Sequence, residues 1–279
     1  MRSTRPGLVG VLSLGVAVGL LSGLFGIGGG VLLVVGLVAF GFAQHAAHAT
    51  SLAAIILTAA AAVIPFALED AVALPAGAAL ALGAAVGAVL GAAVMRRIPE
   101  RALQWTFAAL LTASAARMLV GVEATGGAAI PHLDLGALAL CTAVGLVTGI
   151  ASSILGVGGG VIMVPVLVLG FGFSQHAAEG TSLAVVIPTA LIGALRHHSA
   201  GYTDWRTGLL LGGSGVAGGL LGARIALGLD ALLLQRLFGV LLLLMVARTV
   251  WPRPRPEVEI VRDGPEEPAD SDLPAQDEA

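Results

Sequence analysis

The chain has 279 residues, of which 57% are hydrophobic and 11% are charged, and its mean hydropathy is +0.97. In soluble domains about a quarter of all residues are charged, so this composition excludes an ordinary soluble protein and indicates an integral membrane protein. The formal net charge of −3 comes largely from an acidic tail, and the single cysteine, Cys141, excludes an intrachain disulfide.

Apolar runs predict five helical segments in each half of the chain. They lie at about 8–26, 31–42, 50–68, 71–95 and 102–122, and again at about 135–156, 161–173, 181–195, 207–229 and 232–250. Most of them can cross a hydrocarbon layer ~30 Å thick, because a helix rises about 1.5 Å per residue. The second run of each half reaches only about 18–20 Å, which is typical of a half-helix or re-entrant arm.

A glycine motif occurs once in each half, at matching positions. Residues 26–30 read Gly-Ile-Gly-Gly-Gly, and residues 156–160 read Gly-Val-Gly-Gly-Gly. Downstream, residues 44–52 match residues 175–183, and the offset of 131 residues seen there persists to the end of the repeat. The sequence therefore predicts a tandem duplication in which both halves contribute to function.

Loop charges predict how the two halves are oriented, because cytoplasmic loops are enriched in arginine. The loop at 96–101, with three arginines, is placed on the cytoplasmic side with the N-terminus, and the acidic corner Glu69-Asp70 is placed outside. Residues 8–42 must then enter the membrane and return as a helical hairpin with the glycine motif at its tip. We predict an all-α polytopic membrane protein with two inverted-topology repeats, each a Gly-tipped helical hairpin plus three transmembrane helices. Inverted repeats are typical of secondary transporters.

A competing interpretation takes residues 8–42 as one long crossing and gives two parallel repeats of four helices. It would put the arginine-rich loop outside and Glu69-Asp70 inside, against the charge bias. The inverted interpretation gives a cytoplasmic N-terminus, a first repeat, an external linker, a second repeat and a disordered acidic cytoplasmic tail. These parts lie at 1–7, 8–122, 123–134, 135–251 and 252–279.

The glycine triplets are the first candidate for a substrate site. Glycine in a helix costs about 1 kcal/mol relative to alanine, and backbone groups freed at membrane depth must line protein or a water-filled cavity. A half-helix follows each triplet, so its first N–H groups and the positive end of its dipole suit an anion. The alternative is that the glycines only permit a tight turn and close packing. The candidate substrate-binding glycines are Gly28, Gly29, Gly30, Gly158, Gly159 and Gly160.

Two threonine-serine pairs, Thr50-Ser51 and Thr181-Ser182, precede long apolar runs. Hydroxyl side chains cap helix N-termini, so the sequence predicts that helices begin at these pairs. We also expect Thr50, Ser51, Thr181 and Ser182 to donate hydrogen bonds to a substrate oxyanion. Capping and substrate binding are compatible roles.

A polar trio precedes each threonine-serine pair. The two trios are Gln44, His45 and His48, and Gln175, His176 and Glu179. One interpretation is anchoring at the membrane interface. A second is gating or proton coupling through Gln44, His45, Gln175 and His176, because histidine titrates near neutral pH. A third is a metal site, because i,i+3 spacing places two ligands on one helix face. The predicted topology puts the trios near opposite membrane faces, so the main prediction includes no metal and no cofactor.

With these motifs, the chain resembles the TauE/SafE family of sulfite exporters over roughly residues 8–250. The resemblance rests on the paired Gly-x-Gly-Gly-Gly motifs, on Pro165 after the second of them, and on the Ala-x-x-Thr-Ser-Leu stretches at 47–52 and 178–183. Val35 stands where the second half has Pro165. The resemblance implies a polytopic permease of the bacterial inner membrane for small sulfur-containing anions such as sulfite, sulfonates or thiosulfate.

We therefore expect a secondary transporter that moves a small anion, sulfite or another sulfur-containing oxyanion or organosulfonate, by alternating access. The sequence contains no recognisable nucleophile–base pair or nucleotide-binding loop, so no enzyme activity is expected. The expected partners are the anionic substrate and the lipid bilayer, without nucleic acid, and a homo-oligomer is left open. The rival interpretation is a transition-metal cation permease that uses His45, His48, His176 and Glu179.

Overall fold

The structure, a computed structural model, describes residues 7–94, 100–121, 130–131, 133–155, 159–199 and 201–250. These residues form ten α-helices and no strand, so the prediction of an all-α protein is confirmed. The predicted acidic tail, most of the predicted external linker and nearly all of the predicted cytoplasmic N-terminus lie outside the described residues. The same is true of Gly158.

The helices recur in the same order in each half: two helices of a hairpin, then three longer ones. In the first half they are α1 Leu8–Phe25, α2 Gly30–Ala39, α3 Gln44–Leu68, α4 Leu74–Val94 and α5 Glu100–Val120. In the second half they are α6 Leu135–Leu155, α7 Gly160–Phe171, α8 Gln175–Ser199, α9 Trp205–Gly228 and α10 Ala231–Val250. The second helices of the hairpins, α2 and α7, have 10 and 12 residues, which agrees with the predicted half-length arms.

The described helices have the length and surface of a polytopic membrane protein. Four of them are long and apolar enough to cross a membrane by length and composition: Leu8–Phe25, Gln44–Leu68, Gln175–His198 and Trp205–Gly228. Large apolar side chains also cover the outer surface, as Leu82 and Val147 do at 67% and 63% exposure. Side chains of this kind suit contact with lipid tails, so the protein is a multi-pass membrane protein.

Glycine stripes join the halves through one pair of parallel helices. Gly15, Gly19 and Gly23 of α1 lie directly against the backbone of α9 at Leu211, Gly215 and Gly219, respectively. Residue numbers rise together on both helices, so α1 and α9 run parallel. Small residues let two helix backbones approach closely in lipid, where van der Waals packing replaces the hydrophobic effect.

A second pair of parallel helices repeats this packing with the halves exchanged. Gly145 and Gly149 of α6 lie against the α4 backbone at Leu80 and Ala84. Gly15 and Gly145 are equivalent in the repeat, and so are α4 and α9. Each hairpin therefore packs its long helix on a helix of the other half, and the two halves are interlocked.

Two further pairs in contact between the halves, α3 with α8 and α5 with α10, are equivalent helices that run antiparallel. Between α3 and α8, Leu52 lies against Gly193 and Phe66 lies against Gly180, so residue numbers rise on one helix as they fall on the other. Between α5 and α10, Leu119 lies against Gly239 while Leu232 lies against Gly121. Inverted repeats require equivalent helices to run in opposite directions. The orientation of the repeats in a membrane stays a prediction.

The predicted starts of two helices are wrong. Helices α3 and α8 begin at Gln44 and Gln175 rather than at the threonine-serine pairs, so Thr50, Ser51, Thr181 and Ser182 lie inside helices and cap neither. The cap of α8 is Ser174, whose hydroxyl accepts the backbone N–H of Ala177 at 3.2 Å. Alanine-rich segments such as residues 46–49 have high helix propensity, which extends the helix past the polar trio.

Candidate substrate site at the glycine tips

The first glycine tip, residues 26–30, is built on left-handed backbone. Gly26, Gly28 and Gly29 have φ angles of 67°, 72° and 73°, which side chains with a β-carbon rarely adopt. Helix α1 ends at Phe25 and α2 begins at Gly30, so the chain reverses direction within four residues. The glycines are required by the backbone conformation as well as by packing.

The second glycine tip, residues 156–160, touches the first. Of this tip, Gly159 and Gly160 belong to the described residues. A β-carbon added to Gly160 would lie 2.7 Å from the Cα of Ile27 and 2.8 Å from the carbonyl oxygen of Gly26. These distances are shorter than van der Waals contact, so only a glycine allows the two tips to meet through their backbones.

The meeting point lies between α3 and α8 and is buried. A β-carbon on Gly28 would lie 2.7 Å from Cγ1 of Val186 on α8 and 3.6 Å from Cγ2 of Ile55 on α3. Ile55 and Val186 are equivalent in the repeat, so the tip lies close to the crossing of the two equivalent helices. The whole first tip, residues 26–30, is buried.

Two helix N-termini begin at this point. Helix α2 begins at Gly30 and α7 begins at Gly160, and both glycines are buried. The first N–H groups of a helix have no partner within the helix, and the helix dipole adds a partial positive charge there. Two such ends beside each other form a local environment that favours an anion.

The predicted threonines make equivalent hydrogen bonds between the halves. Thr50 Oγ1 accepts the backbone N–H of Asp204 at 3.1 Å, and Thr181 Oγ1 accepts that of Ala73 at 2.9 Å. Asp204 and Ala73 are themselves 131 residues apart, as are the threonines. Each threonine is fully buried and holds the start of α9 or α4, so its observed contact is structural.

The predicted serines differ from each other. Ser51 Oγ donates to the carbonyl oxygen of His48 at 2.8 Å, within its own helix. Ser182 Oγ is fully buried, has no hydrogen-bond partner among the described residues, and lies 2.9 Å from where a β-carbon of Gly160 would be. A buried hydroxyl without a partner is costly. Of the four predicted hydroxyl residues, Ser182 therefore lies where a substrate atom could complete its hydrogen bonding.

Sequence reasoning missed two polar residues at the tips. Ser22, one turn before the first tip, is fully buried, its hydroxyl bonds to none of the described residues, and its Cβ lies near Gly29. Glu179, whose trio was considered for interfacial anchoring, gating or metal binding, packs against Gly26 of the first tip. The available signals were the position of Ser22 one turn before the motif and the i,i+3 spacing of Glu179 and Ser182.

The histidines and Glu179 do not form the metal site of the rival interpretation. His48 lies against His197 with ring centroids 6.0 Å apart, at the C-terminal end of α8. Glu179 lies near the N-terminal end of α8, 18 residues away from His197, or about 27 Å along a helix. No group of three or more His, Cys, Asp or Glu side chains arranged to hold a metal ion occurs in the described part of the chain.

The predicted gating residues fall at the two ends of the bundle. Gln44 and His45 are exposed at the start of α3, where the His45 ring lies 6.1 Å from that of Tyr202. Gln175 is buried at the start of α8, and Nε2 of His176 lies 2.9 Å from the carbonyl oxygen of Ala226. An open hollow of about 450 Å³ lies beside this second group. It is lined by Pro65, Leu68, Glu69, Arg224, Leu227 and Gly228.

Comparisons with known proteins identify the family. The family model described as sulfite exporter TauE/SafE matches residues 1–118 and 141–275. A probable membrane transporter protein of Xylella fastidiosa (strain 9a5c) is 32% identical over 133 residues, which cover 45% of this chain and 51% of the relative. A second, from Xylella fastidiosa (strain Temecula1 / ATCC 700964), is 30% identical over 147 residues, or 51% of this chain and 56% of the relative.

A third relative is the probable membrane transporter protein YdhB of Bacillus subtilis (strain 168), which is 35% identical over 96 residues, or 34% of this chain and 39% of the relative. The chain thus spans about half the length of the two Xylella relatives. No solved structure matches it. Because the family model matches both halves of the repeat, the chain belongs to the TauE/SafE family of membrane transporters.

Proposed function

We propose that the protein is a secondary transporter that moves a small anion, sulfite or another sulfur-containing oxyanion or organosulfonate, across a membrane by alternating access. The observation that carries this proposal is the contact of the two glycine tips, which brings the N-termini of α2 and α7 together in a buried position. Helix N-termini bind oxyanions through N–H groups and dipole, and broken helices at a repeat interface are a recurrent design of transporter sites.

The proposed binding residues are six of the tip glycines together with hydroxyl residues on α1, α3 and α8. Gly28, Gly29, Gly30, Gly158, Gly159 and Gly160 would provide the backbone amides. Ser182 and the newly found Ser22 would add hydroxyl donors, because both are buried at the tips without a partner. Thr50, Ser51 and Thr181 belong to the second layer, since their hydroxyl oxygens already bond within the protein.

Alternating access requires a way to open the buried tips to each side in turn. We assign one gate to Gln44 and His45 and the other to Gln175 and His176, because these pairs are repeat-equivalent and lie at the starts of α3 and α8. The antiparallel crossing of α3 and α8 supports this assignment, since it separates the two starts along the bundle. The hollow beside the second pair is the corresponding candidate entrance.

The proposed orientation puts both chain termini in the cytoplasm of a bacterial cell, with the protein in the inner membrane and its repeats inverted. Helices α1 and α9 run parallel, so the start of α1 falls at the same end of the bundle as Arg206. His197 and Arg196 at the end of α8 belong to this end as well. Basic residues at this end favour a cytoplasmic face, whereas Arg224 and Arg236 at the opposite end count against it.

Uptake into proteoliposomes tests the proposed function. Radiolabelled sulfite, thiosulfate and a sulfonate would be offered to vesicles with purified protein, and wild type is expected to accumulate at least one of them. Gly29→Leu and Gly159→Leu are expected to abolish uptake, whereas Gly213→Leu should retain it, because nothing lies within 4 Å of a β-carbon added at Gly213. Normal uptake by folded Gly29→Leu and Gly159→Leu variants would rule out the tips as the site.

A further inference from the structure

One face of α8 carries side chains that meet the glycine tips at three successive points. Gln175, Glu179, Ser182 and Val186 follow the spacing i, i+4, i+7 and i+11, which keeps them on a single helix face. Their contacts run along the tips: Glu179 lies against Gly26, Ser182 against Gly160 and Val186 against Gly28. A titratable group on this face would therefore be in direct reach of a substrate bound there.

Glu179 is that group. Among the described residues, it is the one acidic side chain that is fully buried, with 0% of its surface exposed. The absence of a side chain on Gly26 makes room for it, because a β-carbon there would lie 2.7 Å from the Cβ of Glu179. Gln175 Nε2 donates to Glu179 Oε1 at 2.8 Å, whereas no described residue forms a hydrogen bond with Oε2.

The surroundings of Glu179 supply little charge to balance a carboxylate. The first tip contributes Gly26, and the end of α3 contributes Phe66, which packs against the adjacent Gly180. On α8, the nearest titratable side chain is His176, whose Nε2 lies 2.9 Å from the carbonyl oxygen of Ala226. Burying an ionised carboxylate without a close cation costs several kcal/mol. Ionisable groups at membrane depth usually have a function that offsets such a cost.

We propose that Glu179 carries a proton together with the anion at the glycine tips, which makes the protein an anion–proton symporter. This rests on the proposed function. An anion and an ionised carboxylate would repel each other strongly in a buried site. With a proton on Oε2, the carboxyl O–H donates to an oxygen of the anion instead. Proton binding and anion binding then favour each other, and such coupling is reciprocal.

The cycle conserves the proton. It enters from the water on the side to which the tips are open, resides on Oε2 of Glu179 while the anion is bound, and leaves with the anion to the water on the opposite side. Because a proton accompanies each anion, the symporter moves one negative charge fewer per anion than a transporter of the anion alone. The membrane potential acts on a transported charge with about 2.3 kcal/mol per 100 mV, so a monovalent anion would move without opposition from that potential.

The test uses proteoliposomes with thiosulfate, which stays fully ionised near neutral pH and so carries no proton itself. Two signals are followed: exchange of radiolabelled thiosulfate across the membrane, and acidification of the vesicle interior by a trapped pH-sensitive dye. We expect wild type to give both signals. Glu179→Gln keeps the size of the side chain and offers an N–H donor in place of the O–H, and we expect the acidification per thiosulfate exchanged to fall at least tenfold. Asp70→Asn changes an exposed carboxyl outside the lining of the hollow and should give both signals.

Two results would overturn the symport. One is acidification by Glu179→Gln equal to that by wild type. The other is exchange by wild type without any acidification, which would leave the proposed function intact. Failure of wild type to exchange thiosulfate, sulfite and methanesulfonate would instead count against the proposed function, and with it the symport.

A second measurement applies to wild type and covers the case that Glu179→Gln does not fold. Dicyclohexylcarbodiimide reacts with protonated carboxyl groups in apolar surroundings, so we expect peptide mass spectrometry to find Glu179 modified. Thiosulfate should slow this modification, since the anion occupies the space beside Oε2. The exposed surface carboxyls are the controls and should stay unmodified. An unmodified Glu179 would contradict the proposal.

Discussion

Gly160 lies so close to Ile27 that a β-carbon on the glycine would be 2.7 Å from the isoleucine Cα. The two residues belong to different halves of the chain and to the two different glycine tips. Because backbone meets backbone, no rotamer change can relieve an added atom at this position. The contact therefore fixes the relative position of the N-termini of α2 and α7, and it yields the first prediction.

Gly160→Ala is expected to destabilise the protein by about 1–3 kcal/mol, the usual cost of forcing extra volume into a packed interior. Gly213→Ala is the matched control, since its β-carbon would meet nothing within 4 Å. It should be neutral or stabilising by up to about 1 kcal/mol, because alanine favours a helix over glycine. Thermal unfolding in detergent, followed by size-exclusion chromatography, measures both. Equal melting temperatures for the two variants would contradict the tip-to-tip contact.

The two interhelical threonines are expected to differ in importance. Thr181→Val removes the acceptor of the Ala73 N–H. Because Ala73 is only 2% exposed, this N–H is left buried without a partner, which costs about 1–3 kcal/mol. Thr50→Val should cost less, because Asp204 is exposed and water can replace the hydroxyl. The free energy of unfolding measures this order. Thr181→Ser keeps the acceptor and should recover most of the loss, and failure of that rescue would point to packing instead.

Ser182→Ala is expected to weaken anion binding without lowering the stability of the protein. The serine hydroxyl has no partner in the part of the chain that the structure describes, so its removal should leave the unfolding free energy unchanged or slightly higher. The Michaelis constant for anion uptake should rise, since a donor at the tips is lost. Ser51→Ala is the repeat-equivalent control, because its hydroxyl bonds to His48 within the same helix. A Michaelis constant unchanged by Ser182→Ala would remove Ser182 from the site.

The inverted orientation can be measured with single cysteines in a Cys141→Ser background. Glu69→Cys lies at the end of α3, and Tyr202→Cys lies between α8 and α9; both native residues are exposed. A membrane-impermeant maleimide added to whole cells is expected to label position 69 and to leave position 202 unlabelled until the cells are opened. Labelling of both positions from outside would refute the orientation.

Sequence patterns predict the helices of this protein well, but they predict poorly which helices pack against each other. Helix number, the half-length of α2 and α7 and the glycine-tipped hairpins follow from apolar run length and from a repeated motif, which are local properties. The pairing of α1 with α9 does not follow, because a repeat offset says which residues are equivalent and nothing about which helices touch. The contact of Gly160 with Ile27 likewise cannot be predicted from the sequence pattern.

The missed site residues have a related cause. Thr50 and Thr181 looked like helix caps because hydroxyls commonly begin helices, whereas the alanine-rich residues before them continue the helix. Once α8 begins at Gln175, Glu179 falls on the same helix face as Ser182, the face that contacts the glycine tips. A shift of six residues in one helix start thus turns an apparent interfacial residue into a buried one.

The interlocked pairing of α1 with α9 and of α4 with α6 has a consequence for biogenesis. Neither half can cover its own glycine stripes, so a nascent chain that has delivered only the first five helices lacks the surfaces against which α1 and α4 pack. About 180 residues separate the end of α1 from the start of α9, which takes about 10–40 s at ordinary ribosome speeds. During that interval the insertion machinery or surrounding lipid must shelter α1, and a slow ribosome would prolong its exposure to membrane quality control.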